Sequence, residues 1–222
     1  FAFQETHLRN DADASLFTQI FSPQFRIYIS NSETETHAGI IIGINLQSMF
    51  RIDRKIFEIK GRALGIMLHI ENKRFYIICI YVPAKDTNRE LFLDNLFQCI
   101  SENFCYFDEC IILGDFNFVE NSILDRSAVS TNREVGFANF KQIKDKLGLV
   151  DFFRHNFPTK NIFTFFSKAH GSESRIDRIY TTLNIADSGI SCETKDFIVS
   201  DHKAFFIKFR SNFLNIDFGK SY

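Results

Sequence analysis

The sequence predicts an α/β (α+β) fold, a four-layered sandwich of two packed, mainly antiparallel sheets flanked by helices. Three observations lead there. Many short apolar runs are bounded by turn-forming residues, several lie close enough in sequence to pair as hairpins, and a few amphipathic stretches with helix-start signals stand between them. No linker, repeat or low-complexity segment interrupts the 222 residues, so one domain over 1–222 accounts for the chain.

The elements follow in order. A helix is expected after Asn10-Asp11, with Leu16, Phe17 and Ile20 on one face. Phe25 to Ser30, Gly39 to Ile44 and Ile56 to Lys60 read as short strands. Ala63 to Ile70 and Phe75 to Val82 flank the polar Glu71-Asn72-Lys73-Arg74 and form an expected antiparallel hairpin. A second helix starts at Thr87, where Thr87-x-x-Glu90 fits a capping box and Leu93, Leu96, Phe97 and Ile100 make the apolar stripe. Cys110 to Leu113 is a wholly apolar run, the mark of a buried strand. A third helix starts at Thr131 with another box (Thr131-x-x-Glu134), turns Phe140, Ile143 and Leu147 inward and stops at Gly148. Ile162 to Phe166, Arg175 to Thr181 and Ala204 to Phe209 complete the strands.

Composition excludes several classes. Hydrophobic residues make up 45% and charged residues 24%, the balance of a globular chain rather than a disordered one. The 28 Phe and absent Trp indicate either a thick apolar core or a biased nucleotide composition. Net charge is −1, so bulk electrostatics advertises no polyanionic partner, although a cation-binding carboxylate cluster would offset basic residues elsewhere. Five cysteines, an odd number without a C-x-x-C pair, point to reduced thiols rather than a disulfide framework or zinc knuckle. No apolar run is long enough to span a bilayer, and no membrane partner is expected.

Four short motifs carry chemistry. In Ile111-Ile112-Leu113-Gly114-Asp115-Phe116-Asn117 an apolar strand ends in a carboxylate and an amide two residues apart, which point the same way if the backbone stays extended. A carboxylate can take a proton from water while an amide orients that water or a phosphate oxygen; Gly, Asp and Asn are also favoured in turns for purely local reasons. Ser200-Asp201-His202 offers an imidazole and a carboxylate before the last strand, or else a solvated turn. In Ser174-Arg175-Ile176-Asp177-Arg178-Ile179-Tyr180, Asp177 either joins an ion pair with its neighbouring arginines or orients a histidine. Gln4-Glu5-Thr6-His7 supplies an acid near the start.

In series, Q-E-T-H, Tyr81-Val82-Pro83, G-D-F-N, S-R-I-D-R-I-Y and S-D-H resemble the endonuclease/exonuclease/phosphatase superfamily, whose fold is deoxyribonuclease-like. Within it the chain is most similar to the endonuclease domain of LINE-type, non-LTR retrotransposons. Leu124-Asp125-Arg126-Ser127, Thr164-Phe165-Phe166-Ser167 with Ala169-His170-Gly171, and Gly148-Leu149-Val150-Asp151-Phe152-Phe153-Arg154 carry that closer likeness, which runs from Phe3 to about Lys208. The resemblance implies Mg²⁺-dependent (Mn²⁺ as the alternative) hydrolysis of a DNA phosphodiester, giving a nick. By the same resemblance Glu5 binds the metal, with Asp201 beside it. Asp115 activates water, Asn117 positions it or the phosphate, and Tyr81 contacts the phosphate or a neighbouring acid. His202 stabilises the developing charge and is held by Asp177. Arg126, Thr164 and Arg175 support the site or contact the bound strand. Ser167 to Ser174 falls where such nucleases place a hairpin thought to enter the minor groove. Implied partners are DNA and the reverse transcriptase domain of the parent element, with a nuclear location following from the DNA target.

The chain departs from the family pattern at its start. Members begin with a strand ending in an Asn that joins the metal site, and neither is present, so the expectation is a fragment lacking its first strand, with weak or no activity. The alternatives are a host abasic-site endonuclease or other phosphodiesterase of the superfamily, and an inactive relic or nucleic-acid-binding module.

Overall fold

The computed structural model describes residues 1–8, 10–31, 38–70, 72–104, 109–128, 134–197 and 200–210. In chain order they form β1 (Ala2–Gln4), α1 (Asp11–Phe21), β2 (Phe25–Ser30), β3 (Ile40–Asn45), β4 (Arg51–Ile59), β5 (Ala63–Ile70), β6 (Lys73–Tyr81), α2 (Asp86–Asn103) and β7 (Glu109–Asp115). Then follow α3 (Phe137–Leu147), β8 (Leu149–Asp151), α4 (Phe152–Asn156), β9 (Phe165–Ser167), β10 (Ser172–Ser174), β11 (Asp177–Thr182), α5 (Leu183–Asp187), β12 (Gly189–Asp196) and β13 (Lys203–Phe209).

The central sheet has the order β4-β5-β6-β7-β11-β8. Its one parallel pair, β6 with β7, is joined by the crossover helix α2; the other pairs are antiparallel. Both faces of this sheet are covered, which is why β5 and β7 are apolar runs rather than alternating ones. On one face Phe92, Leu93, Leu96 and Ile100 of α2 and Phe140 and Ile143 of α3 pack against Ile78, Ile80, Ile112 and Tyr180. Each such side chain removed from water contributes roughly 1.5–3 kcal/mol. On the other face Leu64, Ile66, Leu68, Cys79, Ile111 and Ile179 meet Ile40, Ile42 and Ile44 of the sheet β1-β3-β2, with Phe205 and Ile207 of the β12-β13 pair. Helix α1 packs on the outer side of β1-β3-β2, where Phe1 lies 5.9 Å from Phe21 and Phe17 stacks on Phe21 at 4.5 Å. Helices outside each of two stacked sheet layers make the four-layered sandwich.

Several boundaries differ from the sequence reading. Leu16 and Ile20 are 59% and 64% exposed, so the α1 face that turns inward is the Phe17–Phe21 side. Helix α2 starts at Asp86 with Lys85 as its N-cap and no side-chain cap bond, so the Thr87 box does not form. The expected box at Thr131 lies outside the described residues, and α3 begins only at Phe137, with Gly148 ending it as expected. The strands β1, β8, β10 and β12 were not expected. Three of them have three residues, too few to show a period, and β12 is polar along most of its length. The four described cysteines are free thiols.

Candidate active site

Three strands end together and bring three polar side chains into one row. Tyr81 of β6 is the register partner of Asp115 in β7, and Asp177 of β11 is the partner of Asp115 on its other side. All three therefore project from the same face at the same end of the sheet. Gly114 makes this approach possible. Its φ is +141°, and a Cβ there would stand 1.9 Å from the carbonyl oxygen of Ile80.

Beyond Asp115 the backbone does not stay extended. Asn117 has φ +52°, and this turn folds its amide back onto the carboxylate. The Asn117 N–H donates to Asp115 Oδ1 at 2.8 Å, and Nδ2 donates to Asp115 Oδ2 and to the Val82 carbonyl, each at 2.9 Å. Both alternatives left by the sequence therefore hold together: the motif is a turn, and it couples amide to carboxylate. With both Nδ2 hydrogens committed, Oδ1 is the acceptor left for a water or hydroxyl.

Asp177 takes the histidine-orienting role rather than an ion pair with its neighbouring arginines. Its oxygens lie 2.9 and 3.1 Å from Nδ1 of His202. The Asp177 N–H donates to Thr164 Oγ1 at 3.0 Å, and the Thr164 carbonyl accepts the Lys203 N–H at 2.6 Å. Thr164 is wholly buried, so it ties the Asp177 strand to the His202 segment rather than touching a bound strand. Ser200 Oγ accepts the His202 N–H at 3.0 Å, and the imidazole packs on Phe165 with ring centres 4.8 Å apart.

Charge in this row is finely balanced. Burial, and then repulsion from Asp177, push the Asp115 carboxyl up to about 8 against the pull of His202 and the Asn117 N–H; Glu5 adds to the rise. Burial alone would lower His202, but the bond to and charge of Asp177, with Asp115 and Asp201 behind it, raise the imidazole to about 9. It is therefore an imidazolium at neutral pH, with Nδ1–H donating to Asp177. Burial and a hydrogen bond with Glu5 push the Tyr81 phenol upward, keeping it protonated.

Glu5 follows β1 with φ +52° and a half-exposed carboxylate. Asp201, directly before His202 in the chain, is exposed. Among the described residues no group of three or more His, Cys, Asp or Glu encloses a metal position. The donors present nevertheless fit a hard divalent cation that keeps most of its waters and needs only one or two carboxylates. They are oxygens, the imidazole is engaged with Asp177, and a nearby positive charge would relieve the opposed ionisation of Asp115.

One residue expected to reach the bound strand is placed otherwise. Arg175 is 1% exposed, so the role of strand contact is corrected. Its guanidinium donates to Asp125 Oδ1 and Oδ2 at 2.8 and 3.2 Å and to Asp151 Oδ2 at 2.7 Å, a pairing that burial demands. Arg154 completes this group with a 2.7 Å bond to Asp125. Asp125 and Asp151 were not singled out as functional, yet both lie in the motifs that carried the closer resemblance, so those motifs encode a buried charge network. Arg126 remains partly exposed and is held by Glu134 at 2.5 Å. The segment 167–174 does form a hairpin, β9 paired with β10. A cavity of about 300 Å³ bordered by Glu90, Glu120, Glu134 and Phe137 includes none of the row residues in its lining.

A model of the Endonuclease/Exonuclease/phosphatase family matches residues 81–202, from the Tyr81 end of the row to His202. The Transposon TX1 uncharacterized 149 kDa protein of Xenopus laevis is 25% identical over 201 residues, covering 90% of this chain and 15% of that protein. Among solved structures, an AP endonuclease from Archaeoglobus fulgidus superposes with TM-score 0.71 at 21% identity, covering 94% of this chain and 87% of that one. The endonuclease domain of TRAS1, a telomere-specific non-LTR retrotransposon, superposes with TM-score 0.61 at 13% identity, covering 91% and 93%.

Proposed function

Because this chain belongs to the Endonuclease/Exonuclease/phosphatase family, we propose that it hydrolyses phosphodiester bonds and nicks DNA as the endonuclease domain of a retroelement-derived protein. The observation that carries the chemistry is the Tyr81–Asp115–Asp177 row with His202 bonded to its end. The likeness to a transposon protein supports the retroelement origin over a host repair enzyme.

Asp115, in its ionised form, accepts a proton from the attacking water, whose other O–H donates a hydrogen bond to Asn117 Oδ1. His202, as an imidazolium held by Asp177, donates to a phosphate oxygen as negative charge grows during in-line displacement. The Tyr81 hydroxyl remains protonated and donates to the phosphate or to Glu5. Glu5, with Asp201 beside the site, would hold the divalent cation, Mg²⁺ or Mn²⁺, which supplies charge neutralisation at the phosphate. Arg126 and the β9–β10 hairpin contact the DNA backbone and groove. A DNA substrate implies nuclear residence and, in a longer parent protein, a reverse transcriptase partner.

The test is nicking of supercoiled plasmid with Mg²⁺, Mn²⁺ or EDTA. It compares the chain as it stands, the chain with an added amino-terminal strand of the kind the family resemblance implies, and the His202→Ala variant of each. Metal-dependent nicked circles, reduced by about 10²–10³-fold in His202→Ala, carry the reading. Two folded parents that leave the plasmid supercoiled with either metal sink it.

A further inference from the structure

We propose that Arg89 is a positioning residue that locks the Asn117 amide through the turn Val82–Ala84; this rests on the role given to Asn117 above. Arg89 stands in the first turn of α2, 5% exposed. Its donors go to main-chain carbonyls: Nε to Pro83 at 3.1 Å, Nη2 to Ala84 at 2.6 Å and Nη1 to Val135 at 3.0 Å. The carboxylate it meets, Asp86, is 65% exposed. A guanidinium is costly to bury, and three well-placed carbonyls in a fork geometry are what make it tolerable. Donors spread around a planar fork suit these three carbonyls better than an ammonium, whose donors radiate from one nitrogen.

The held carbonyls border the site. Val82 precedes Pro83 directly, and its N–H donates to the Asp115 carbonyl at 2.9 Å while its own carbonyl accepts Asn117 Nδ2 at 2.9 Å. One residue therefore touches the main chain of the acid and the side chain of the amide, and the next two are pinned by Arg89. If the turn shifts, Nδ2 loses one of its two acceptors and the amide is free to rotate, which misplaces Oδ1. The same guanidinium fastens Val135, beside Glu134, which holds Arg126 at 2.5 Å and accepts the Val119 N–H at 3.2 Å. Gly136 leaves room for this: a Cβ there would lie 2.6 Å from Arg89 Cδ, and its φ of +94° suits glycine.

The test uses the whole chain as parent, Arg89→Met and Arg89→Lys, with two readouts. Solvent exchange of the Asn117 side-chain amide by NMR should quicken by about tenfold in Arg89→Met, while amides of Ile66 and Ile112 inside the sheet keep their protection. Plasmid nicking should lose kcat by about 10–100-fold with KM within about twofold. Arg89→Lys, which keeps the charge but places its donors on one nitrogen instead of a planar fork, should fall between. A folded variant with unchanged Asn117 exchange overturns the proposal. So does failure of both variants to fold, because Arg89 would then hold the fold rather than the amide. If the parent cleaves nothing, the nuclease reading fails, while the Asn117 exchange still decides the role of Arg89.

Discussion

Asp177 serves two partners at once: it stands opposite Asp115 in the β11–β7 pairing, and its carboxylate holds Nδ1 of His202 at 2.9 Å. The first relationship raises the proton affinity of Asp115, and the second keeps His202 charged. Each has a measurable consequence.

The His202 linkage should appear in stability against pH. Its imidazole titrates at about 9 in the fold against an ordinary value of 6.5, so the stabilisation is fully present below 6.5 and is lost as pH rises through about 9. Asp177→Asn removes it. The parent should exceed Asp177→Asn in Tm at pH 6, and the gap should shrink by about 5 °C, or about 2 kcal/mol, by pH ~9.5. A gap constant with pH in thermal denaturation would mean that the pair does not hold a proton in the fold.

Asp115→Asn should do the reverse to stability while abolishing hydrolysis. The carboxyl titrates at about 8 in the fold against an ordinary value of 3.8. Folded protein thus stays protonated where the unfolded chain has ionised, and the parent loses stability progressively between those values. The variant should match the parent near pH ~4 and be increasingly more stable toward pH ~8, after which the difference levels off. Urea midpoints across that range measure it, and Mg²⁺ should narrow the difference if cation binding favours the ionised carboxylate.

Arg175→Met tests the buried network. Removing the guanidinium leaves Asp125 and Asp151 in the core without it, and the loss should be about 3–5 kcal/mol by chemical denaturation. Because Arg175 is buried, the salt dependence of DNA binding, measured at low temperature where the variant stays folded, should not change. A reduced salt slope would return Arg175 to the DNA surface.

Gly114→Ala should be among the most damaging single changes in the chain. The added Cβ meets the Ile80 carbonyl at 1.9 Å with φ at +141°, so β6 and β7 must separate at the row itself. A loss above about 4 kcal/mol is expected; a Tm within a few degrees of the parent would show that the strands can part without cost.

Much of this was legible without coordinates. The hairpin of Ala63–Ile70 with the following strand, the buried strand before Gly114 and the stripe of Leu93, Leu96 and Ile100 follow from residue type and period, which are local properties. The order of polar motifs along the chain was enough to suggest the family. The starts of α2 and α3 were less legible, because these helices begin at Asp86 and Phe137 without a side-chain cap bond, whereas α1 begins at Asp11 after a capping Asn10 as its sequence suggests.

What the sequence by itself determined, then, is which segments bury two faces, which bury one, and which polar residues stand at strand ends. Only tertiary structure decided how those residues pair. Between Asp177 and its neighbours Arg175 and Arg178 the sequence allows an ion pair, but Arg178, the next residue of β11, projects from the opposite face, and Arg175 precedes the strand. Arg175 is drawn to Asp125 and Asp151 inside, and Asp177 meets a histidine 25 residues away. Asn117 likewise reaches Asp115 through a left-handed turn rather than an extended strand, and Arg89 grips carbonyls that no pattern of side chains announces. Partners distant in sequence are chosen by strand register and by the cost of burying a charge alone, and neither is written in any short stretch of residues.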